Sequence, residues 1–133
     1  MDKNELLKMA KEARERAYAP YSQFYVGAAL LCEDGSVYTG CNIENASFSP
    51  TCCAERTAIF KAVSDGKRKF SAIAVVGGKN DADASTPCYP CGVCRQVISE
   101  FCDDEFILIT ENNGIAESIV FSDILPKRFK INN

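Results

Sequence analysis

The feature that most narrows what this chain can become is a pair of cysteine motifs far apart in sequence, Cys52-Cys53-Ala54-Glu55-Arg56 and Pro90-Cys91-Gly92-Val93-Cys94. The second has the C-x-x-C spacing at which two sulfurs share one ion, and the first sets a third sulfur two residues ahead of a carboxylate. A fold that serves these residues has to bring two distant segments to one point. Thiolates from Cys53, Cys91 and Cys94 would leave one tetrahedral position of a zinc ion open to water, and Glu55 would then be free to move protons to and from that water. The same residues allow a competitor, because Cys88 forms an overlapping C-x-x-C pair with Cys91, and Cys52 stands beside Cys53. A closed four-sulfur site drawn from Cys53 or Cys52 with Cys88, Cys91 and Cys94 would be a structural staple with no catalytic position.

The chain contains no histidine, which removes Ser-His-Asp triads, Cys-His nucleophile pairs and every His-ligated metal. Zinc here must use sulfur or carboxylate. Eight cysteines would suggest a disulfide scaffold in an exported chain, but the amino terminus reads as a charged helix and not as a signal peptide. Reduced thiols and a cytoplasmic location are therefore expected, with Cys32, Cys41 and Cys102 as small apolar residues in strand or helix patterns. With 133 residues, 47% of them hydrophobic, residues 1–133 suit one domain with one core, and no apolar run nears the ~20 residues of a membrane span. The net charge of −3 gives no general attraction to phosphate backbones, so neither a nucleic-acid nor a membrane partner is expected.

Helical spacing of Leu6, Ala10, Ala13 and Ala17 predicts a helix over 5–18, with Asn4 or Asp2 as its cap. Strands are expected at 25–32 and 37–43 around the turn Glu33-Asp34-Gly35-Ser36, then at 70–76, 106–110 and 118–121, the last two joined by Asn112-Asn113-Gly114. Two further helices are expected, one opening near Thr51 or Cys52 and stopping by Gly66, the other running from Pro90-Cys91 to about Phe101. Residues 77–87, rich in Gly, Asp, Ala and Ser, read as a loop. This order describes an α/β fold, a three-layer α-β-α arrangement with a mixed five-stranded sheet. The amino-terminal ends of both cysteine-bearing helices would meet at one sheet edge, where their dipoles favour thiolate over thiol.

The combination Cys53-x-Glu55 with Pro90-Cys91-x-x-Cys94 resembles the zinc-dependent cytidine deaminases, and within them the small, homotetrameric, three-cysteine enzymes acting on free nucleosides. Tyr18-Ala19-Pro20-Tyr21-Ser22, Val26-Gly27-Ala28-Ala29-Leu30, Gly40-Cys41-Asn42-Ile43-Glu44-Asn45-Ala46 and Ile124-Leu125-Pro126 carry the likeness over nearly the whole chain. The resemblance implies Zn2+ on Cys53, Cys91 and Cys94, with Glu55 as the proton-transfer group. It implies hydrolytic deamination of cytidine and 2′-deoxycytidine to uridine and 2′-deoxyuridine with release of ammonia, a step of pyrimidine salvage. Asn42 and Glu44 match positions that bind the ribose hydroxyls, Phe24 an aromatic against the pyrimidine, and Ala54 a backbone N–H facing the base. Phe129 matches an aromatic that reaches a neighbouring subunit's site. Phe48 departs from a frequent Tyr, and Phe cannot hydrogen-bond toward the sugar. A deaminase of another cytosine-bearing compound shares the zinc motif, and a non-catalytic zinc-stapled binding module remains the reading outside enzymes. Asn42-x-Glu44 favours a free nucleoside.

Arg56 has a further reading from charge alone. Three thiolates on one zinc ion leave the site with a net charge of −1, which makes the ion a poorer Lewis acid. A guanidinium three residues from Cys53 could donate to the ligand sulfurs and offset that charge.

Overall fold

The structure, a computed structural model, describes residues 1–79 and 86–131. In chain order the elements are α1 (Lys3–Arg14), β1 (Phe24–Cys32), β2 (Val37–Cys41), α2 (Ala54–Ser64), β3 (Phe70–Lys79), α3 (Gly92–Phe101), β4 (Ile107–Asn112) and β5 (Ile115–Val120), followed by a 3-10 turn at Phe121–Asp123. The strands form one sheet in the order β2-β1-β3-β4-β5. β1 runs antiparallel to β2 and β3, β4 runs antiparallel to β5, and β3 and β4 are parallel. The mixed five-stranded sheet is thus the one expected, and its parallel pair is joined by the crossover that contains α3, because parallel neighbours cannot be linked by a tight turn.

Alternation along β3 explains the layers. Ile73 and Val75 face one side and Ala72, Ala74 and Val76 the other, and all five are buried. A strand buried on both faces needs cover on both. α1 supplies it on one side, where Leu6, Leu7 and Ala10 pack on Ala29, Ala72, Ala74, Val76 and Ile109. α2 and α3 supply it on the other, with Ala54, Ala58, Ile59, Ala62 and Ile98 against Ala28, Leu30, Ile73, Val75 and Leu108. Phe106 and Phe121 meet edge to face at 6.4 Å within that same layer. No helix among the described residues is long and apolar enough to cross a membrane.

The boundaries depart from expectation where tertiary contacts claim the residues. α1 stops at Arg14, not Tyr18, because the Tyr18 N–H donates to the Asn42 carbonyl (2.9 Å) and its carbonyl accepts from the Glu44 N–H (2.9 Å). β2 ends at Cys41, since Ile43 bridges both Tyr18 and Cys52. That bridge holds Cys52 in extended backbone, so α2 opens at Ala54 with Cys53 as its cap, later than Thr51 or Cys52. Gly77–Lys79 were expected in a loop; they continue β3, paired with Phe24, Tyr25 and Val26. Residues 80–85 of that expected loop lie outside the described residues. The last hairpin is tighter than expected, with Asn113 (φ 52°) and Gly114 (φ 84°) both left-handed, the two-residue turn that matches strand twist.

Candidate metal centre and active site

Cys53 and Cys91 are the caps of α2 and α3, and Cys94 stands in the first turn of α3. The cap positions follow from the backbone: Cys52 is held in a bridge just before α2, and Cys91 is itself extended, with ψ 170°, ahead of α3. Each helix therefore aims its positive dipole end at sulfur. The Cys91 sulfur also accepts the Cys94 N–H at 3.5 Å.

The three Sγ atoms all lie within 4.8 Å of one another. Tetrahedral zinc at ~2.3 Å from each sulfur requires sulfurs about 3.8 Å apart. Cys53 Sγ and Cys91 Sγ are 3.8 Å apart, so the donor set fits zinc in size and in chemistry. Among the described residues it is the one cluster of three or more such groups.

The competing four-sulfur site does not form. Cys88 turns its sulfur against Gly77, where a Cβ would come within 2.9 Å of it. Its N–H donates to Thr110 Oγ1 at 2.9 Å, and burial pushes its thiol up to about 12. Cys52 takes a contact from the Thr57 hydroxyl at 3.6 Å and stays outside the cluster. Cys32 and Cys102 are buried and Cys41 half-buried, in keeping with the apolar role expected of them.

Charge within the cluster is uneven. A hydrogen bond from Cys94, then Arg56 and Cys91, brings Cys53 down to about 5. Cys94 is correspondingly raised, first by that same contact with Cys53 and then by burial. Arg56 Nη2 donates to Cys53 Sγ at 3.3 Å and to the Thr51 carbonyl at 3.4 Å. The contact with Cys53, foremost, holds the guanidinium above its ordinary range. This first-turn cation therefore touches the sulfur that carries the charge.

Glu55 is 4% exposed. Burial, and next to it the charge of Cys53, pushes its carboxyl up to about 7. A carboxyl balanced there can take and return a proton near neutral pH. Its neighbour Ala54, the first residue of α2, has an N–H that the helix cannot use.

A cavity of about 360 Å³ is lined by Tyr21, Ser22, Glu44, Phe48 and Thr51, the last of which is tied to Arg56 through its carbonyl. Glu44 Oε1 accepts from the Tyr21 and Ser22 N–H groups at 2.9 and 3.1 Å, and Oε2 accepts from the Ser22 hydroxyl. The Ser22 hydroxyl, followed by those N–H groups, holds the carboxyl below its ordinary range. Asn42 is buried and spans β1, accepting from the Val26 N–H (2.9 Å) and donating to the Phe24 carbonyl (2.8 Å). One amide proton is left over from that pairing. Phe24 is held at the start of β1, and a Cβ on Gly77 would stand 3.0 Å from its ring. Phe48 is 69% exposed, lies edge-on to Tyr21 at 6.1 Å and has φ 64°, a backbone state costly for an aromatic residue. Phe129, also 69% exposed, is not among the residues lining the cavity. Ser22 and Thr51 were not singled out from sequence; the only signal was that Ser22 closes the Tyr18–Ser22 stretch.

Residues 1–110 match the family model described as the cytidine and deoxycytidylate deaminase zinc-binding region. A cytidine deaminase of Sporosarcina psychrophila is 54% identical over 130 residues, covering 97% of this chain and 92% of the relative. One from Halalkalibacterium halodurans is 52% identical, covering 97% and 95%. The crystal structure of a cytidine deaminase from Burkholderia pseudomallei superposes with a TM-score of 0.87 at 46% identity, over 97% of this chain and 100% of that one. A more distant relative, a blasticidin-S deaminase of Bacillus cereus, is 33% identical over 131 residues, covering 96% and 92%. The matched region includes the cap cysteines, the buried carboxylate and the strands that support them, and on that ground the chain belongs to the cytidine and deoxycytidylate deaminase family.

Proposed function

We infer that this protein is a zinc-dependent cytidine deaminase, a hydrolase that converts cytidine and 2′-deoxycytidine to uridine and 2′-deoxyuridine with release of ammonia. The observation that carries the reading is a buried carboxyl, Glu55, poised near neutrality two residues from a sulfur cluster of zinc dimensions. Cys53, Cys91 and Cys94 would hold the ion, which when bound supplies Lewis acidity and an acidified water.

Glu55 takes the proton of the attacking water at its carboxylate and delivers it to N3 of the ring as the C4–O bond forms. The same carboxylate then takes the second water proton from the new C4 hydroxyl and hands it to the exocyclic amine; the C4–N bond breaks as the C4 carbonyl forms, and ammonia leaves. One water is consumed and one ammonia released. Burial serves both steps, since a solvated carboxylate near 4.5 would be too weak a base to take the proton and would leave it to bulk water. The Ala54 N–H faces the base and Phe24 packs on it, while Asn42 and Glu44 accept or donate to the ribose hydroxyls. The Glu44 carboxylate is already oriented by two backbone N–H groups, which lowers the cost of ordering it on binding. Arg56 offsets the excess negative charge of three sulfurs.

The reading extends to one domain over 1–133, a cytoplasmic place in pyrimidine salvage, and a homotetramer with shared sites to which Phe129 contributes from a neighbouring subunit. The likeness to a blasticidin-S deaminase favours a second reading, deamination of another cytosine-bearing compound. The test is to incubate the zinc-loaded protein with cytidine, with 2′-deoxycytidine and with blasticidin S. Ammonia with uridine from cytidine and 2′-deoxyuridine from 2′-deoxycytidine is the expected result. Ammonia from blasticidin S alone would select the second reading, and none from any would overturn both.

A further inference from the structure

Arg95, next to Cys94 in sequence, makes two contacts that join segments far apart in the chain. Its Nε donates to the Pro90 carbonyl at 2.8 Å and its Nη1 donates to the Ile124 carbonyl at 2.8 Å. Pro90 is buried and immediately precedes Cys91. Its carbonyl lies just outside α3 and belongs to no strand ladder, so it needs a donor from elsewhere. Ile124 closes the 3-10 turn after β5, from which the last described residues run to Ile131. That carboxy-terminal segment is fastened in turn by Arg128, whose guanidinium stands 5.3 Å over the Phe121 ring and 3.5 Å from Asp104.

We propose that Arg95 is a positioning residue that clamps the peptide preceding Cys91 to the carboxy-terminal turn, so that zinc retention and the docking of 121–131 depend on each other. The proposal rests on the reading of Cys91 as a zinc ligand. The physical basis is the fork of the guanidinium. Two N–H groups in fixed relative geometry tie two carbonyls to one rigid plane, which a flexible ammonium cannot do. Arg95 is itself anchored, its N–H donating to the Cys91 carbonyl at 2.9 Å. Motion of the turn at Ile124 is therefore transmitted to the peptide plane on which the Cys91 sulfur depends. By reciprocity, filling the sulfur site restrains the turn.

The test compares wild type with Arg95→Met, which keeps length and apolar stem but has no donors, and with Arg95→Lys, which keeps the charge without the fork. The rate of zinc transfer to a chromogenic chelator is followed, together with hydrogen exchange of the amides in 121–131, with and without zinc. Arg95→Met is expected to release zinc ~10–100-fold faster, the range for groups that support metal ligands, and Arg95→Lys to lie close to it. In wild type, zinc should slow exchange in 121–131; in Arg95→Met that difference should vanish. Zinc release at the wild-type rate in Arg95→Met, exchange in 121–131 indifferent to zinc in wild type, or full restoration by Arg95→Lys would each overturn the clamp. Should Arg95→Met fail to fold, Arg95→Lys and the wild-type exchange experiment decide alone. Neither readout uses deaminase activity, so a zinc-binding wild type that releases no ammonia would sink the proposed function and leave this test standing.

Discussion

At the residue scale, the carboxyl of Glu55 and the sulfur of Cys53 are set by opposite forces. Burial raises the first toward 7, and hydrogen bonds lower the second toward 5. Glu55→Gln keeps the shape of the side chain and touches no expected ligand. It should retain zinc and lose turnover by more than the ~10²–10⁴-fold of a lone general base, because one group serves several proton transfers. Its melting temperature at pH 8 should be no lower than that of wild type, since the cost of a raised carboxyl builds as pH rises from 4.5 to about 7 and is fully present above that, whereas the amide does not titrate. Arg56→Gln should also retain zinc and lose ~10–100-fold in activity, measured at saturating cytidine. Glu44 gives a pH test of the opposite sign. Its carboxyl is held below 4.5 by Ser22, so its favourable contribution is present above 4.5 and is lost only as pH falls through the lower, folded value. KM for cytidine should stay level in wild type as pH falls toward 4.5. In Ser22→Ala, which removes the largest cause, the acid rise in KM should begin at higher pH, with kcat unchanged in its onset.

At the element scale, the placement of α2 decides whether Cys53 and Glu55 reach the site, and Gly40 of β2 decides the placement of α2. A Cβ at Gly40 would stand 2.5 Å from the Ala58 nitrogen and 2.6 Å from the Ala54 carbonyl oxygen. Backbone is in the way, so the helix has to move. Gly40→Val should cost ~1–3 kcal/mol by overpacking and should lower kcat at least tenfold, because the displaced turn is the one that carries Cys53, Ala54 and Glu55. Gly35 is the control. It sits in a turn with φ 92° and has nothing within 4 Å of a built Cβ, so Gly35→Ala should cost ~1–2 kcal/mol in unfolding experiments through the left-handed backbone alone. Its kcat should equal that of wild type. A Gly40→Val enzyme with unaltered kcat would show that α2 can shift without disturbing the centre.

At the scale of the whole molecule, the chain exposes Phe48 and Phe129 at 69% each, in addition to Tyr18, Ile43 and Phe60. Exposed apolar and aromatic side chains of this kind are what subunit interfaces use. Sedimentation at working concentration should give a species of four chains. Shared sites make a sharper expectation. Phe129→Ala and Glu55→Gln proteins, each of low activity, should recover activity when unfolded together and refolded as mixed oligomers. Such mixtures contain sites that pair an intact Glu55 with a neighbour's intact Phe129. Mixed oligomers no more active than the average of their parents would place Phe129 in its own subunit's site or in none.

The bare sequence determined a good deal of this protein. The absence of histidine restricted zinc to sulfur or carboxylate, the C-x-x-C spacing brought Cys91 and Cys94 together, and the order of helix and strand patterns described a mixed sheet with helices on both faces. Each of these is local, a matter of which residue types lie within one turn or one strand. The choice among five candidate sulfurs was not local. Spacing left Cys52 and Cys88 as eligible as Cys53, and the tertiary structure removed them. Ile43 holds Cys52 in a bridge, and Gly77, having no side chain, gives Cys88 a place to turn away. The burial that raises Glu55 was likewise decided only when α2 was laid on the sheet, and the joining of the 90 and 124 carbonyls by Arg95 only when α3 was, whereas the contact of Arg56 with Cys53, three residues away, was legible beforehand. A residue's distance along the chain limits what it can reach; the packing of the elements sets which of those partners it meets and how much water is left around it.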